Sequence, residues 1–157
     1  MKKFDVTVTI EEMAYAELNE QERSLVEAAR EATHRSYAPY SKFNVGAAIL
    51  LDNGEMVTGS NQENAAYPSG LCAERTTAFY AHSRYPEARF VAPAIAARDG
   101  SGEFVADPVS PCGACRQSLL QYKMLAEAGI KVLLVAANRV YRLPSIRSLL
   151  PLAFTTF

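Results

Sequence analysis

The sequence predicts an α/β fold, a three-layer α/β/α sandwich around a mixed, roughly five-stranded sheet. Three observations predict it. Strand-like and helix-like apolar patterns follow one another in the order β, α, β, β, α, β, α, β, β, α. A hairpin precedes a half in which strands alternate with helices, which calls for a parallel portion and for helices on the faces of the sheet. A length of 157 residues, 49% of them hydrophobic and 21% charged, suits a single domain, residues 1–157, with one buried core.

Residues Phe4 to Ile10 alternate Phe4, Val6, Val8 and Ile10 with polar residues, which predicts a short first strand. Asn19 followed by Glu22 forms a capping-box signature and opens a helix to about Arg35, with Leu25, Val26, Ala28, Ala29 and Ala32 on its apolar side. Ala38-Pro39-Tyr40-Ser41 is a loop. Val45 to Leu51 is a nearly continuous apolar strand, Asp52-Asn53-Gly54 turns it, and Glu55 to Ser60 returns as the second arm of a hairpin. A loop rich in Asn, Pro and Gly covers Asn61 to Gly70, and a helix runs from Cys72 to about Arg84. Phe90 to Ala97 reads as a strand in which Pro93 suggests an edge or irregular pairing. Pro111 precedes a helix to about Ala128, with Gly129 as its stop. Strands at Lys131 to Ala137 and Val140 to Leu143 follow, then a short helix at Ser145 to Leu150.

Charge and targeting signals narrow the class of function. The net charge of −1 is not the basic footprint of a protein that grips nucleic-acid phosphates, so a small, nearly neutral substrate fits better than a polymer. No apolar run approaches a membrane span, and the two lysines at the start have no apolar segment behind them. Three cysteines, an odd number, do not suit a secreted disulfide framework. Together these point to a cytoplasmic protein with reduced thiols.

The three cysteines stand in two motifs, Cys72-Ala73-Glu74-Arg75 and Pro111-Cys112-Gly113-Ala114-Cys115-Arg116. Both open a predicted helix, where partial positive charge and free N–H groups favour thiolate over thiol. Cys112 and Cys115 have the usual pair spacing for a metal, and Cys72 supplies a third sulfur for one zinc ion per chain. Three protein ligands leave a fourth position open, which marks a catalytic rather than a structural site. Zinc makes hydroxide available near neutral pH. Glu74, two residues after a ligand, is the candidate base. A fourth ligand could come only from His34 or His82; His82 lies about 15 Å further along its helix, too far to share the ion. Three thiolates and one Zn²⁺ sum to −1, so Arg75 is the candidate to draw charge from the sulfurs; Arg116 either assists or is an exposed helix charge.

Beyond these motifs the chain resembles the small homotetrameric zinc-dependent cytidine deaminases of the three-cysteine type. The resemblance is carried by Tyr40-Ser41-Lys42-Phe43-Asn44-Val45-Gly46-Ala47-Ala48, Asn61-Gln62-Glu63-Asn64-Ala65-Ala66-Tyr67-Pro68 and Leu149-Leu150-Pro151-Leu152-Ala153-Phe154, and it covers roughly residues 20 to 154. It implies hydrolysis of cytidine and 2′-deoxycytidine to uridine and 2′-deoxyuridine with loss of ammonia, as part of pyrimidine salvage. Cys72, Cys112 and Cys115 would be the zinc ligands, hydroxide would attack C4, and Glu74 would shuttle protons by way of N3. Asn61 and Glu63 match positions that bind the ribose 3′-hydroxyl, and Phe43 matches a wall of the nucleoside pocket. Phe154 matches a residue that stacks on the base from a neighbouring subunit. Tyr67 lies where the family also serves a neighbour's site, and Ala73 is a further substrate contact. A tetramer is implied by the resemblance alone. Residues 1–17 exceed the family's short chains, and Gln121 to Ala128 extends the second zinc helix.

Three rivals remain within the sequence. A deaminase of a modified cytosine nucleoside or an aminonucleoside antibiotic would share the zinc motifs, although the Asn61-x-Glu63-Asn64 loop favours an ordinary nucleoside. A polynucleotide-editing deaminase would need a basic groove. A non-catalytic, zinc-stabilised binding module would have no use for Glu74 or an open fourth position.

Overall fold

The computed structural model describes residues 1–126 and 128–156. Helix α1 (Glu20–Ala32) begins where its capping box predicts. Asn19 Oδ1 accepts from the Glu22 N–H at 2.9 Å, and the Glu22 carboxylate accepts from the Asn19 N–H at 3.3 Å. A 3₁₀ turn at Thr33–Arg35 continues the helix to its predicted end.

The strands are β1 (Glu11–Ala14), β2 (Asn44–Leu51), β3 (Met56–Ser60), β4 (Phe90–Arg98), β5 (Val132–Val135) and β6 (Arg139–Leu143). They form one six-stranded sheet in the order β1-β6-β5-β4-β2-β3, one strand more than expected. The β4–β5 pair is parallel and the other neighbours are antiparallel, so the sheet is mixed as predicted. The remaining helices are α2 (Ala73–Arg84) and α3 (Gly113–Ala126). The last residues of the predicted third helix reach Glu127, which lies outside the described residues. The predicted final helix is a 3₁₀ turn at Ile146–Leu149.

Strand β2 shows why helices cover both faces. Ala47, Ile49 and Leu51 join a core with Ala78 and Ala81 of α2 and Leu119 and Leu120 of α3. Ala48 and Leu50 join the opposite core with Leu25, Val26 and Ala29 of α1. Side chains alternate across a strand, so an unbroken apolar run feeds two cores. Two glycines permit close approach of helix to sheet. A Cβ on Gly46 would lie 2.3 Å from the Ala29 carbonyl oxygen, and one on Gly59 would lie 2.5 Å from Thr77 Oγ1.

Two expectations are corrected. Residues Phe4 to Ile10 form no strand; the edge strand is β1, paired Glu11↔Arg142 through Ala14↔Arg139. Strand β6 stops at Leu143, ahead of Pro144, so the earlier residues have run past the end of their partner. Phe4 stays 77% exposed there. Second, the edge reading of Pro93 fails while the irregular-pairing reading holds, since the β2–β4 register shifts between Leu50 and Leu51, opposite Ala92 and Phe90. Strand β4 lies between β5 and β2, and Pro93 is opposite Ile49. The ladder to β5 begins one residue later, at Ala94↔Leu133, so the residue without an N–H sits just outside it.

Candidate active site

Strand directions bring the two cysteine motifs together. Strand β2 is antiparallel to both β3 and β4, so β3 and β4 run the same way. Helix α2 follows β3 in the chain and α3 follows β4, and both therefore begin at the same edge of the sheet. Cys72 is the N-cap of α2, Cys112 immediately precedes α3, and Cys115 lies in its first turn.

The three Sγ atoms lie within 4.8 Å of one another, and the Cys72–Cys112 separation is 3.8 Å. Sulfurs held ~2.3 Å from one ion at tetrahedral angles are ~3.8 Å apart, so the donor set fits zinc in both type and spacing. Among the described residues no histidine or carboxylate joins the three sulfurs. His82 instead lies beside Tyr122, ring centroids 5.5 Å apart. Cys115 is buried, Cys72 half-buried and Cys112 exposed, so the cluster opens to one side. A hydrogen bond from the Cys115 thiol, with the Arg75 guanidinium and the Cys112 thiol, outweighs burial and lowers the Cys72 pKa to about 5. Cys115 is correspondingly pushed up, because it holds the proton that the pair shares.

Glu74 occupies the first turn of α2 and is only 6% exposed. Burial raises its pKa; its own backbone N–H opposes that, and the nearby Cys72 adds to it. A carboxylate held above its ordinary range beside a metal-binding cluster is suited to accept and return a proton. Ala73, between ligand and base, is fully buried, and its carbonyl accepts from Thr77 Oγ1 at 2.7 Å. Arg75 Nη2 lies 3.8 Å from Cys72 Sγ, as the charge argument expects. Arg116 is placed otherwise. Its Nε donates to the Pro111 carbonyl at 2.7 Å, Nη1 to the Leu149 carbonyl at 3.0 Å and Nη2 to Ser110 Oγ at 2.9 Å. It braces the backbone ahead of Cys112 and makes no hydrogen bond to a sulfur among these contacts.

A cleft of about 540 Å³ reaches Cys72 and is lined by Tyr40, Ser41, Asn61, Gln62, Glu63, Asn64, Tyr67, Gly70 and Leu71. That is room for a nucleoside-sized ligand. Asn61 and Glu63 are both on its wall. The Glu63 carboxylate accepts from the Tyr40 N–H at 2.8 Å and from the Ser41 N–H at 3.3 Å. Hydrogen bonding from Ser41 and from these backbone groups holds its pKa below the usual carboxylate range.

The aromatic candidates are placed unevenly. Tyr67 lines the cleft edge-on to Tyr40, ring centroids 5.7 Å apart, and remains 76% exposed. Phe43 is half-buried next to the cleft but does not line it; its carbonyl accepts from Asn61 Nδ2 at 2.9 Å. Phe154 is 64% exposed and borders a different hollow, with Phe79, Gln117 and Tyr122, while its carbonyl accepts from Gln117 Nε2 at 2.9 Å. Within one chain it does not line the cysteine cleft. The sequence reading missed Ser36, which hydrogen-bonds Asn61 from 25 positions away, and no motif spacing signals that contact.

Comparisons with known proteins agree with this geometry. The family model described as the cytidine and deoxycytidylate deaminase zinc-binding region matches residues 19–128. A cytidine deaminase of Halalkalibacterium halodurans is 42% identical over 134 residues, covering 83% of this chain and 92% of that protein. One from Mycobacterium tuberculosis is 44% identical over 94 residues, covering 60% of this chain and 65% of its own length. The crystal structure of a cytidine deaminase from Burkholderia pseudomallei superposes with a TM-score of 0.70 at 36% identity, covering 87% of this chain and all of that one.

Proposed function

Because this chain belongs to the cytidine and deoxycytidylate deaminase zinc-binding family, we infer that it hydrolyses cytidine to uridine and ammonia. The observation that carries this reading is the buried carboxylate of Glu74 two residues from Cys72, in a three-sulfur cluster at the end of a nucleoside-sized cleft. Cys72, Cys112 and Cys115 would hold a zinc ion, which would supply a Lewis acid that makes hydroxide available from water near neutral pH.

Glu74 does the proton work. Its carboxylate takes a proton from the attacking water as the new C–O bond forms at C4, and gives it to ring N3. The proton of the new C4 hydroxyl then passes through the same carboxyl to the amino nitrogen as the C4–N bond breaks, so that ammonia leaves and a carbonyl remains. Burial raises the pKa of this carboxyl above its ordinary range, which makes it a better proton acceptor than an exposed glutamate. Arg75 draws charge from Cys72, and Arg116 holds the backbone at Pro111 that carries Cys112 into place.

Asn61 and Glu63 bind the ribose 3′-hydroxyl, one donating and the other accepting. Neither reads the 2′ position, so 2′-deoxycytidine is also a substrate. Phe43, half-buried beside the cleft, and Ala73, between Cys72 and Glu74, back the base-binding end rather than line it. The exposure of Tyr67 and Phe154 supports a homotetramer in which these side chains complete a neighbour's site. Such a deamination reaction belongs to a cytoplasmic role in pyrimidine salvage.

Ultraviolet monitoring of cytidine loss by zinc-loaded protein tests the reading. Turnover to uridine and ammonia that disappears in Glu74→Gln, with zinc still at one per chain, is the expected result. No turnover by the zinc-loaded parent would reject cytidine as the substrate.

A further inference from the structure

We propose that Ser36 is a positioning residue that fixes Asn61 as a hydrogen-bond donor toward the sugar of the substrate. The inference rests on the reading that Asn61 and Glu63 bind the 3′-hydroxyl. An asparagine amide has two acceptor sites on Oδ1 and two hydrogens on Nδ2. Both acceptor sites of Asn61 are filled, by Ser36 Oγ at 2.5 Å and by the Val45 N–H at 2.8 Å. Nδ2 donates to the Phe43 carbonyl at 2.9 Å. The orientation follows from chemistry: the Val45 N–H can only donate and the Phe43 carbonyl can only accept, so the amide cannot be reversed. The Ser36 hydroxyl, facing Oδ1, must be a donor.

One Nδ2 hydrogen is left, on a side chain that lines the cleft. Glu63, which lines the same cleft, can only accept. A sugar hydroxyl is thus offered one donor and one acceptor, the pair it can satisfy. The backbone beside Ser36 keeps the arrangement in register. The Tyr37 N–H donates to the Asn61 carbonyl at 3.0 Å, and the Tyr37 carbonyl accepts from the Glu63 N–H at 2.8 Å. Without the Ser36 hydroxyl, Oδ1 has an empty acceptor site and the amide can tilt to seek a donor, at the expense of the one it presents to substrate.

The test compares kcat and KM for cytidine and 3′-deoxycytidine in the parent, Ser36→Ala and Ser36→Thr proteins. In Ser36→Ala the cytidine KM should rise about five-fold or more, the usual worth of one such hydrogen bond. Its kcat should stay within about two-fold on the same argument. Kinetics with 3′-deoxycytidine should not move, and Ser36→Thr should restore the cytidine KM. Should Ser36→Ala fail to fold, Ser36→Cys, a weaker donor of similar size, should give an intermediate cytidine KM. Equal loss with both substrates, or no change with either, overturns the role of Ser36. A parent enzyme that handles 3′-deoxycytidine as well as cytidine overturns the sugar contact itself, which is a separate failure.

Discussion

Replacing Arg75 with methionine tests whether the charge on the sulfur cluster is tuned by the chain. Three thiolates outweigh the two positive charges of zinc, and the excess opposes formation of hydroxide. Arg75 Nη2, 3.8 Å from Cys72 Sγ, is the cation placed to offset it. Methionine keeps much of the stem's apolar packing and removes the charge. A hydrogen bond involving a charged group contributes about 1.5–3 kcal/mol. The contact is long and Arg75 only partly buried, so the lower end applies, ~1.5 kcal/mol, or about a ten-fold loss in rate. Arg75 is not on the wall of the cleft, so the loss should fall in kcat, with the cytidine KM little changed. Zinc affinity, read by competition with a chelator, should weaken in the same variant. Arg75→Lys should recover only part of the loss, because a point charge replaces a planar fork. An Arg75→Met protein with parental kcat and parental zinc affinity would refute the reasoning.

Two predictions concern the scaffold that aligns the site. Burial raises the Glu22 pKa, but hydrogen bonds from Arg142 at 3.1 Å, Lys131 at 3.2 Å and the Asn19 backbone outweigh it and hold the carboxyl below its ordinary range. Its stabilisation is therefore full above the unfolded pKa of about 4.3 and is lost as pH falls through the lower folded value. Thermal melts of Glu22→Gln should show a loss of about 1–3 kcal/mol at pH 7 and a shallower decline into acid than the parent; an unchanged acid slope would count against this. Gly46→Ala places a Cβ 2.3 Å from the Ala29 carbonyl oxygen and 2.5 Å from the Thr33 nitrogen, both backbone atoms. Denaturant titration should register at least about 3 kcal/mol of destabilisation, and less than 1 kcal/mol would mean that α1 yields more easily than its packing implies.

What could be read from the chain divides by how local its cause is. The start of α1 was legible because Asn19 and Glu22 satisfy each other's backbone within three residues. The cysteine cluster was legible in kind, since thiols at helix starts favour a metal and one ion needs both motifs, but what brings α2 and α3 together was not. It depends on β3 and β4 running the same way on either side of β2, a property of the whole sheet. The misplaced first strand fails for the same reason. Residues Phe4 to Ile10 carry a good period-two pattern, yet a strand needs a partner, and β6 ends at Leu143. Arg116, next to Cys115, left two readings open in the sequence, help to the sulfurs or an exposed helix charge, and its donors go to Pro111, Ser110 and Leu149, the last 33 residues away. Ser36 is the sharpest case: an unremarkable serine after a helix becomes decisive only when the chain folds back and presents Asn61 to it. A motif therefore names the groups that do chemistry, whereas the groups that aim them are chosen by tertiary contact. That is why Asn61 and Glu63 could be picked from the sequence and the residue that orients Asn61 could not.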